Sequence, residues 1–165
     1  MSGVPRRKRR PTGLNHPVYR RAMGRIARAH VWAYRRTGGR VGGRWRHGSA
    51  LLHPVPVLLL DHVGRRSGTA YTTPLLYLRD DPRLVVVASQ GGMDRDPQWY
   101  RNLRAAPDTT VQVGAEVRRV RARTATAEEA AALWPRLDAV YADFVNYRRW
   151  TDREIPVVVL EPRAG

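Results

Sequence analysis

The stretch "DHVGRRSGTAYTTPLLYL", Asp61–Leu78, follows the apolar run "VPVLLL", Val55–Leu60, and decides how the chain is read. Two segments rich in β-branched and apolar residues flank Gly64–Gly68, which reads as strand, connection, strand. A plain hairpin needs only Gly, Asn or Asp in its turn. Arg65, Arg66 and Ser67 exceed that need. Guanidinium groups pair bidentately with phosphate or carboxylate, and Ser67 and the loop amides add donors, so the connection suits an anion. Taken alone, it reads better as an exposed basic turn.

The same signature predicts strands at Val55–Val63, Ala70–Arg79, Leu84–Gln90, Thr109–Gly114, Val117–Thr124 and Ile155–Leu160. "RDDPR" joins the second and third as a tight turn. Helices are predicted over Pro97–Ala105 and Ala127–Tyr141, the latter starting after Thr126 with Glu128 and Glu129 near its positive end. Successive short strands with few helical crossovers predict a mainly β (α+β) chain, an antiparallel barrel or meander rather than a Rossmann sheet.

Upstream, residues 1–14 with "PRRKRRP" form a basic tail predicted to be disordered. Residues 15–50 hold an amphipathic helix and a linker, and residues 51–165 the barrel. The helix runs from Asn15 to Arg36, with Asn15 as cap and Pro17 in the first turn. Tyr19, Met23, Ile26, His30 and Tyr34 recur at helical spacing among Arg20, Arg21, Arg25, Arg28, Arg35 and Arg36. Such a helix can lie on an anionic membrane surface or pack on its own domain with solvated arginines. "TGGRVGGRWRHG", Thr37–Gly48, reads as a glycine-rich linker.

The 165 residues fit one domain with an appendage, and 42% hydrophobic content is enough for a core. No apolar run is long enough to span a bilayer, and no apolar segment follows the basic start as a signal peptide requires. Cysteine is absent, which excludes disulfides and thiolate metal sites and fits a cytoplasmic protein. The net charge of +16 comes almost wholly from arginine, since Lys8 is the one lysine. It favours nucleic acid, anionic lipid or a polyanionic small ligand without choosing among them.

Familiar catalytic patterns are missing. No G-x-G-x-x-G follows a strand, there is no Walker A loop, and "GRRSG" is no nucleophile elbow. The five histidines lack ligand spacing, so no metal site is expected. Carboxylates are scattered. An enzyme so equipped borrows its chemistry from a cofactor. Two further segments suit one. In "VVVASQGGMDRDPQWYRNL", Val85–Leu103, a strand ends near Ser89, Gly91–Gly92 admits close approach, and a helix follows whose N-terminus favours an anion. Trp99 suits a core anchor as well. In "LDAVYADFVNYRRWTDREIP", Tyr141, Phe144, Tyr147 and Trp150 fall at steps of three along one helical face. That is core spacing more often than site spacing, but two phenols lean toward a pocket wall.

Together with "TTPLLYLRD", "TVQVGAE" and "TDREIPVVVLEP", these segments give the chain a resemblance, from about Val55 to Pro162, to the deazaflavin (F420)-dependent nitroreductase family of actinobacteria, oxidoreductases of nitroreductase and quinone reductase type. The resemblance implies a split β-barrel, mostly antiparallel, with flanking helices. It implies hydride transfer from reduced coenzyme F420, an 8-hydroxy-5-deazaflavin, to a quinone, nitroaromatic or other electron-poor acceptor. Arg65, Arg66 and Ser67 would hold the phosphate and oligoglutamate tail. Thr72, Thr73, Pro74, Leu75 and Leu76 would run under the ring. Val87, Ala88, Ser89 and Gln90, with Gln98, Trp99, Tyr100, Arg101 and Asn102, would complete the groove. Tyr141, Phe144 and Tyr147 would face the acceptor, with Trp150 beside them. Relatives carry membrane-associating N-terminal segments, which implies a peripheral location at the inner membrane face. This chain departs from the pattern at Tyr71 and Gln90, where relatives carry cations, at Phe144, where the nitroreductase branch has a tyrosine, and at Asp61 and His62, which replace a threonine-rich strand end. Rival readings are a flavin mononucleotide (FMN) binding or non-catalytic split barrel and, with aromatics on a helix instead of on strands, a basic nucleic-acid binder without specific recognition. Monomer and dimer stay open.

Overall fold

Among the described residues, seven strands and four α-helices form where hydrophobic pattern and turn chemistry agree. The computed structural model describes residues 17–164, with side chains from residue 24 onward. The basic tail, the Asn15 cap and the side chains of Tyr19, Arg20, Arg21 and Met23 lie outside the described residues. Helix α1 is Pro17–Thr37, α2 Gln98–Ala105, α3 Ala127–Val140 and α4 Asp143–Trp150. The strands are β1 Arg44–Trp45, β2 Val55–Val63, β3 Ala70–Asp80, β4 Arg83–Val87, β5 Asp108–Val113, β6 Glu116–Thr124 and β7 Val157–Pro162. Thr126 begins α3 with a capping box, its side chain accepting from the Glu129 amide while Glu129 reaches back to the Thr126 amide.

All strand pairs are antiparallel, in the order β2-β3-β4-β7-β6-β5, and β5 returns to β2 at Leu59↔Gln112 and Leu60↔Val111. A six-stranded barrel therefore closes without a free edge at that seam. Alternation on each strand sorts the core. Leu58, Leu60, Tyr77, Leu84, Val86, Val111, Val120 and Leu160 fill the interior. Val85, Val87, Val157 and Val159 face outward and are covered by Leu133 and Leu137 of α3 and Phe144 of α4.

The barrel is split because its strands differ in length. β3 has eleven residues and β4 five, and the two pair only across Tyr77–Asp80. Along Ala70–Leu76, β3 keeps β2 on one side, and no strand flanks the other among the described residues. Pro74, with no amide hydrogen to give, sits in this one-sided stretch.

The segment read as a plain linker is more ordered than that. β1 pairs with β2 at Arg44↔Pro56 and Trp45↔Val55. Glycine permits the approach: a Cβ on Gly43 would lie 2.2 Å from the Gly39 carbonyl oxygen. A glycine-dominated composition concealed this two-residue edge strand.

The C-terminal half of α1 docks on the barrel. Tyr34 is 1% exposed and packs on Val57 and Leu59. Its hydroxyl donates to the Val57 carbonyl at 2.8 Å and accepts from the Gly114 amide at 2.9 Å. His30 Nε2 lies 2.8 Å from the Gly42 carbonyl, and Arg35 pairs with Asp61 at 2.8 Å. Tyr34→Phe leaves the buried Val57 carbonyl without this donor and the half-buried Gly114 amide without its acceptor, so a loss of about 1–3 kcal/mol is expected, measured by urea denaturation against wild type.

Candidate cofactor cleft

The split opens into a cleft of about 390 Å³, a size within the usual range of roughly 300–1,000 Å³ for small-molecule sites. Thr73, Pro74, Leu75 and Leu76 of β3 form one side, and Val87, Ser89 and Gln90 form the end where β4 gives way to a turn. Trp99 of α2 closes the interior side, and Tyr141, Phe144 and Tyr147 form the opposing wall. Parts of all three sequence segments meet here. Gly91, marked in the sequence for close approach, lines the cleft too, and so do Trp45, Val57 and Pro97, which were not singled out as site residues. Trp45 comes from β1 and could have been found only by recognising that edge strand.

The turn after β4 has an unusual backbone. Gln90, Gly91 and Gly92 take φ values of 45°, 62° and 72°, a left-handed run in which a side chain such as that of Gln90 is uncommon. A Cβ on Gly92 would lie 2.8 Å from the Tyr147 carbonyl oxygen, so glycine lets α4 sit against the turn. Arg153 staples the arrangement. Its guanidinium donates to the carbonyls of Met93 (2.7 Å), Ala88 (3.0 Å) and Ser89 (3.1 Å) and to Asp96 Oδ1 (2.8 Å). "TDREIP" marked the segment but not this role.

On the wall, Phe144 is buried and stands edge-on to Tyr141, with ring centroids 5.2 Å apart. The Tyr141 and Tyr147 hydroxyls meet at 3.2 Å. Burial, then the bond to Tyr147, pushes the Tyr141 phenol well above its ordinary range, so it stays protonated. Trp150 packs on Tyr147 at 5.6 Å and lies behind the wall.

Other predicted residues lie elsewhere. Arg65, Arg66 and Ser67 form an exposed loop closed by Gly64 N–H to the Thr69 carbonyl and Gly68 N–H to the Gly64 carbonyl, both 2.8 Å. Tyr71 and Thr72 line a second groove of about 1010 Å³ between β3 and α1, facing Arg28, Trp32, Arg35 and Arg36. Ala88 is buried in the barrel interior, and Gln98 and Arg101 are exposed on α2. Tyr100 turns from the cleft, its hydroxyl 2.8 Å from Thr124 Oγ1. Asn102 is 1% exposed and bonds to His62 and to the Arg65 amide.

A family model described as F420H2-dependent quinone reductase matches residues 26–162. The chain belongs to this family. It is 49% identical over 118 residues to a Mycobacterium tuberculosis protein that carries the provisional name F420H2-dependent quinone reductase, an alignment covering 72% of this chain and 99% of that one. A second M. tuberculosis protein, named F420H2-dependent quinone reductase, is 38% identical over 141 residues, covering 84% and 91%. Among solved structures, the F420H2-dependent reductase FDR-A aligns with a TM-score of 0.60 at 34% identity, covering 64% of this chain and 94% of that one.

The split barrel is thus the fold of an F420H2-dependent oxidoreductase, and its cofactor is coenzyme F420. The FMN and non-catalytic alternatives find no support among these relatives. The residues present fit a flat deazaflavin: the cleft walls are apolar and aromatic, a hydroxyl of β3 and the turn at Ser89–Gln90 offer polar contacts, and no carboxylate lines it. The exposed Arg65 and Arg66 suit an anionic tail.

His62 sits beneath this cleft, 6% exposed, and burial lowers its pKa against a smaller opposing pull from Asp61. The folded imidazole is therefore neutral, and as pH falls the unfolded chain takes up this proton first. Its contribution to stability is complete above the ordinary imidazole value and is lost as pH falls through the lowered one. The denaturation midpoint of wild type should fall between about pH 7 and 5 more steeply than that of His62→Gln, read from urea melts across that range.

Proposed function

We propose that the cleft transfers a hydride from F420H2 to a quinone. The carrying observation is the apolar wall of Phe144, Tyr141 and Tyr147 facing the Thr73–Leu76 strand across the cleft. Bound F420H2 supplies the hydride and a proton, so F420H2 and quinone become F420 and quinol without a protein acid in the balance. The chain's own residues orient two flat molecules against each other and keep water from between them. Phe144 offers no hydroxyl, and the buried Tyr141 phenol holds its proton, which favours a quinone over an acceptor that needs a strong proton donor. The names of the relatives support the same acceptor class.

The loop of Arg65, Arg66 and Ser67 takes the anionic tail in this reading. Tyr71 and Gln90 bring no charge where cations are expected, and Arg28, Arg35 and Arg36 rim the neighbouring groove that Tyr71 lines. In the full-length protein, F420H2 oxidation by a soluble quinone should be read as a gain in fluorescence of the oxidised cofactor, alongside titration of oxidised F420. Arg65→Ala/Arg66→Ala should weaken F420 binding about ten-fold or more while leaving a tail-free deazaflavin unaffected. Equal binding by wild type and variant would remove the loop from the site.

A peripheral location at a membrane is supported by α1. Its solvent face carries Arg25, Arg28 and Arg36 with Trp32 69% exposed, which supports peripheral attachment to an anionic membrane surface on the cytoplasmic side. No described helix is long and apolar enough to cross a membrane. Co-sedimentation with phosphatidylglycerol vesicles should drop several-fold in an Arg25→Glu/Arg28→Glu variant. Equal sedimentation of the two proteins argues against the helix as the contact.

A further inference from the structure

The end of β2 brings two polar side chains, Asp61 and His62, to opposite faces of the sheet. Asp61 turns outward and accepts from Arg35 and Thr72 on Oδ1 and from Thr110 on Oδ2. His62 turns into the barrel, where a directed chain of hydrogen bonds runs through it. The Arg65 amide donates to Asn102 Oδ1 at 3.2 Å, which fixes the Asn102 amide with its NH2 toward His62 Nδ1 at 2.9 Å. An NH2 group has no lone pair to offer, so Nδ1 must accept and the imidazole proton must sit on Nε2. Nε2–H then donates to Thr73 Oγ1 at 2.9 Å. That oxygen has one of its two acceptor sites filled, and its own proton has no other protein partner among the described residues. Thr73 lines the cleft.

We propose that His62 and Asn102 are positioning residues that hold the Thr73 hydroxyl as a fixed donor to a carbonyl or ring nitrogen of the bound deazaflavin, and that they tie the Arg65 loop to the ring site. The inference rests on the assignment of the cleft to F420. It gives His62 a function that its solvent-shielded place beneath Tyr71, at 5.5 Å between ring centroids, does not otherwise require. The relay carries one sense of direction. Protonating Nδ1 sets a donor against the Asn102 NH2, and the amide must turn, which sets its NH2 against the Arg65 amide. The charged and titratable groups around the imidazole are Asp61 on its own strand, held outward by Arg35 of α1, Tyr71 of β3, and the Arg65 guanidinium, 3.5 Å from Asn102 Oδ1. Only Asp61 favours the charged ring, and burial outweighs it.

The test uses full-length protein and two fluorescent probes, oxidised F420 and a tail-free deazaflavin. Thr73→Val should weaken the tail-free probe about three- to ten-fold, and Thr73→Ser should restore it. His62→Leu should cause a similar loss and add little to Thr73→Val, since both act through one hydroxyl. The wild-type affinity, taken relative to Thr73→Val at each pH, should fall as the pH drops below the ordinary imidazole value, a change that a purely structural role would not produce. Unchanged binding in Thr73→Val, or losses that multiply in the double variant, overturns the relay while leaving the cofactor assignment intact. Failure of wild type to bind F420 itself overturns the assignment and the relay with it. The isosteric Thr73 pair keeps the test decisive if His62→Leu does not fold.

Discussion

An eleven-residue strand beside a five-residue strand is the constraint on which the molecule turns. Once β4 stops at Val87, β3 continues with one neighbour, and the barrel wall has a gap that backbone hydrogen bonding alone cannot fill. The surrounding features follow from that gap. The chain must leave β4 sharply, which the left-handed run at Gln90–Gly92 achieves. The carbonyls exposed by the departure need donors, which Arg153 supplies from the far side of α4. The apolar edge of β3 needs a facing surface, which the aromatic side of α4 provides. A flat cofactor fits because two flat protein surfaces face each other there.

The distribution of charge follows a related logic. Much of the arginine content is engaged structurally: Arg123 bridges Glu129 and Glu161, Arg136 reaches Asp80, and Arg148 grips Asp138. Glu129 is held at a pKa of about 2 by Arg123 and by the Thr126 amide of its own cap. These pairs are exposed and add little each to stability. Their effect is to localise the surplus, because Arg66 on the loop and Arg25, Arg28 and Arg36 on α1 make no ion pair with a carboxylate among the described residues. These arginines leave positive charge on the loop and on one face of α1.

The strands were legible because their burial is one-sided or complete over several consecutive residues. Val55–Val63 appears with the same bounds in sequence and structure, and β3 differs by a residue at one end. Leu84–Gln90 was read three residues too long, because "ASQ" continues the apolar run while the backbone has already turned. The cleft was legible only where residue type carries its meaning locally, as in Gly91–Gly92 or the phenols of Tyr141 and Tyr147. Asn102 was placed in the groove and Arg153 was passed over, because the roles they actually fill depend on partners 37 to 65 positions away. Trp45 escaped because its strand is two residues long and framed by glycines. Nothing local marks such residues.

Asp61 and His62 carry one more consequence. Adjacent strand residues point to opposite faces, so a one-residue slip of β2 against β3 would exchange them. The carboxylate would enter the barrel without Arg35, and the imidazole would lose Asn102 and Thr73. An unpaired buried carboxylate is among the most unfavourable groups a fold can hold. The pair therefore acts as a proofreading mark for strand alignment, penalising the misaligned barrel that a uniformly apolar β2 would tolerate.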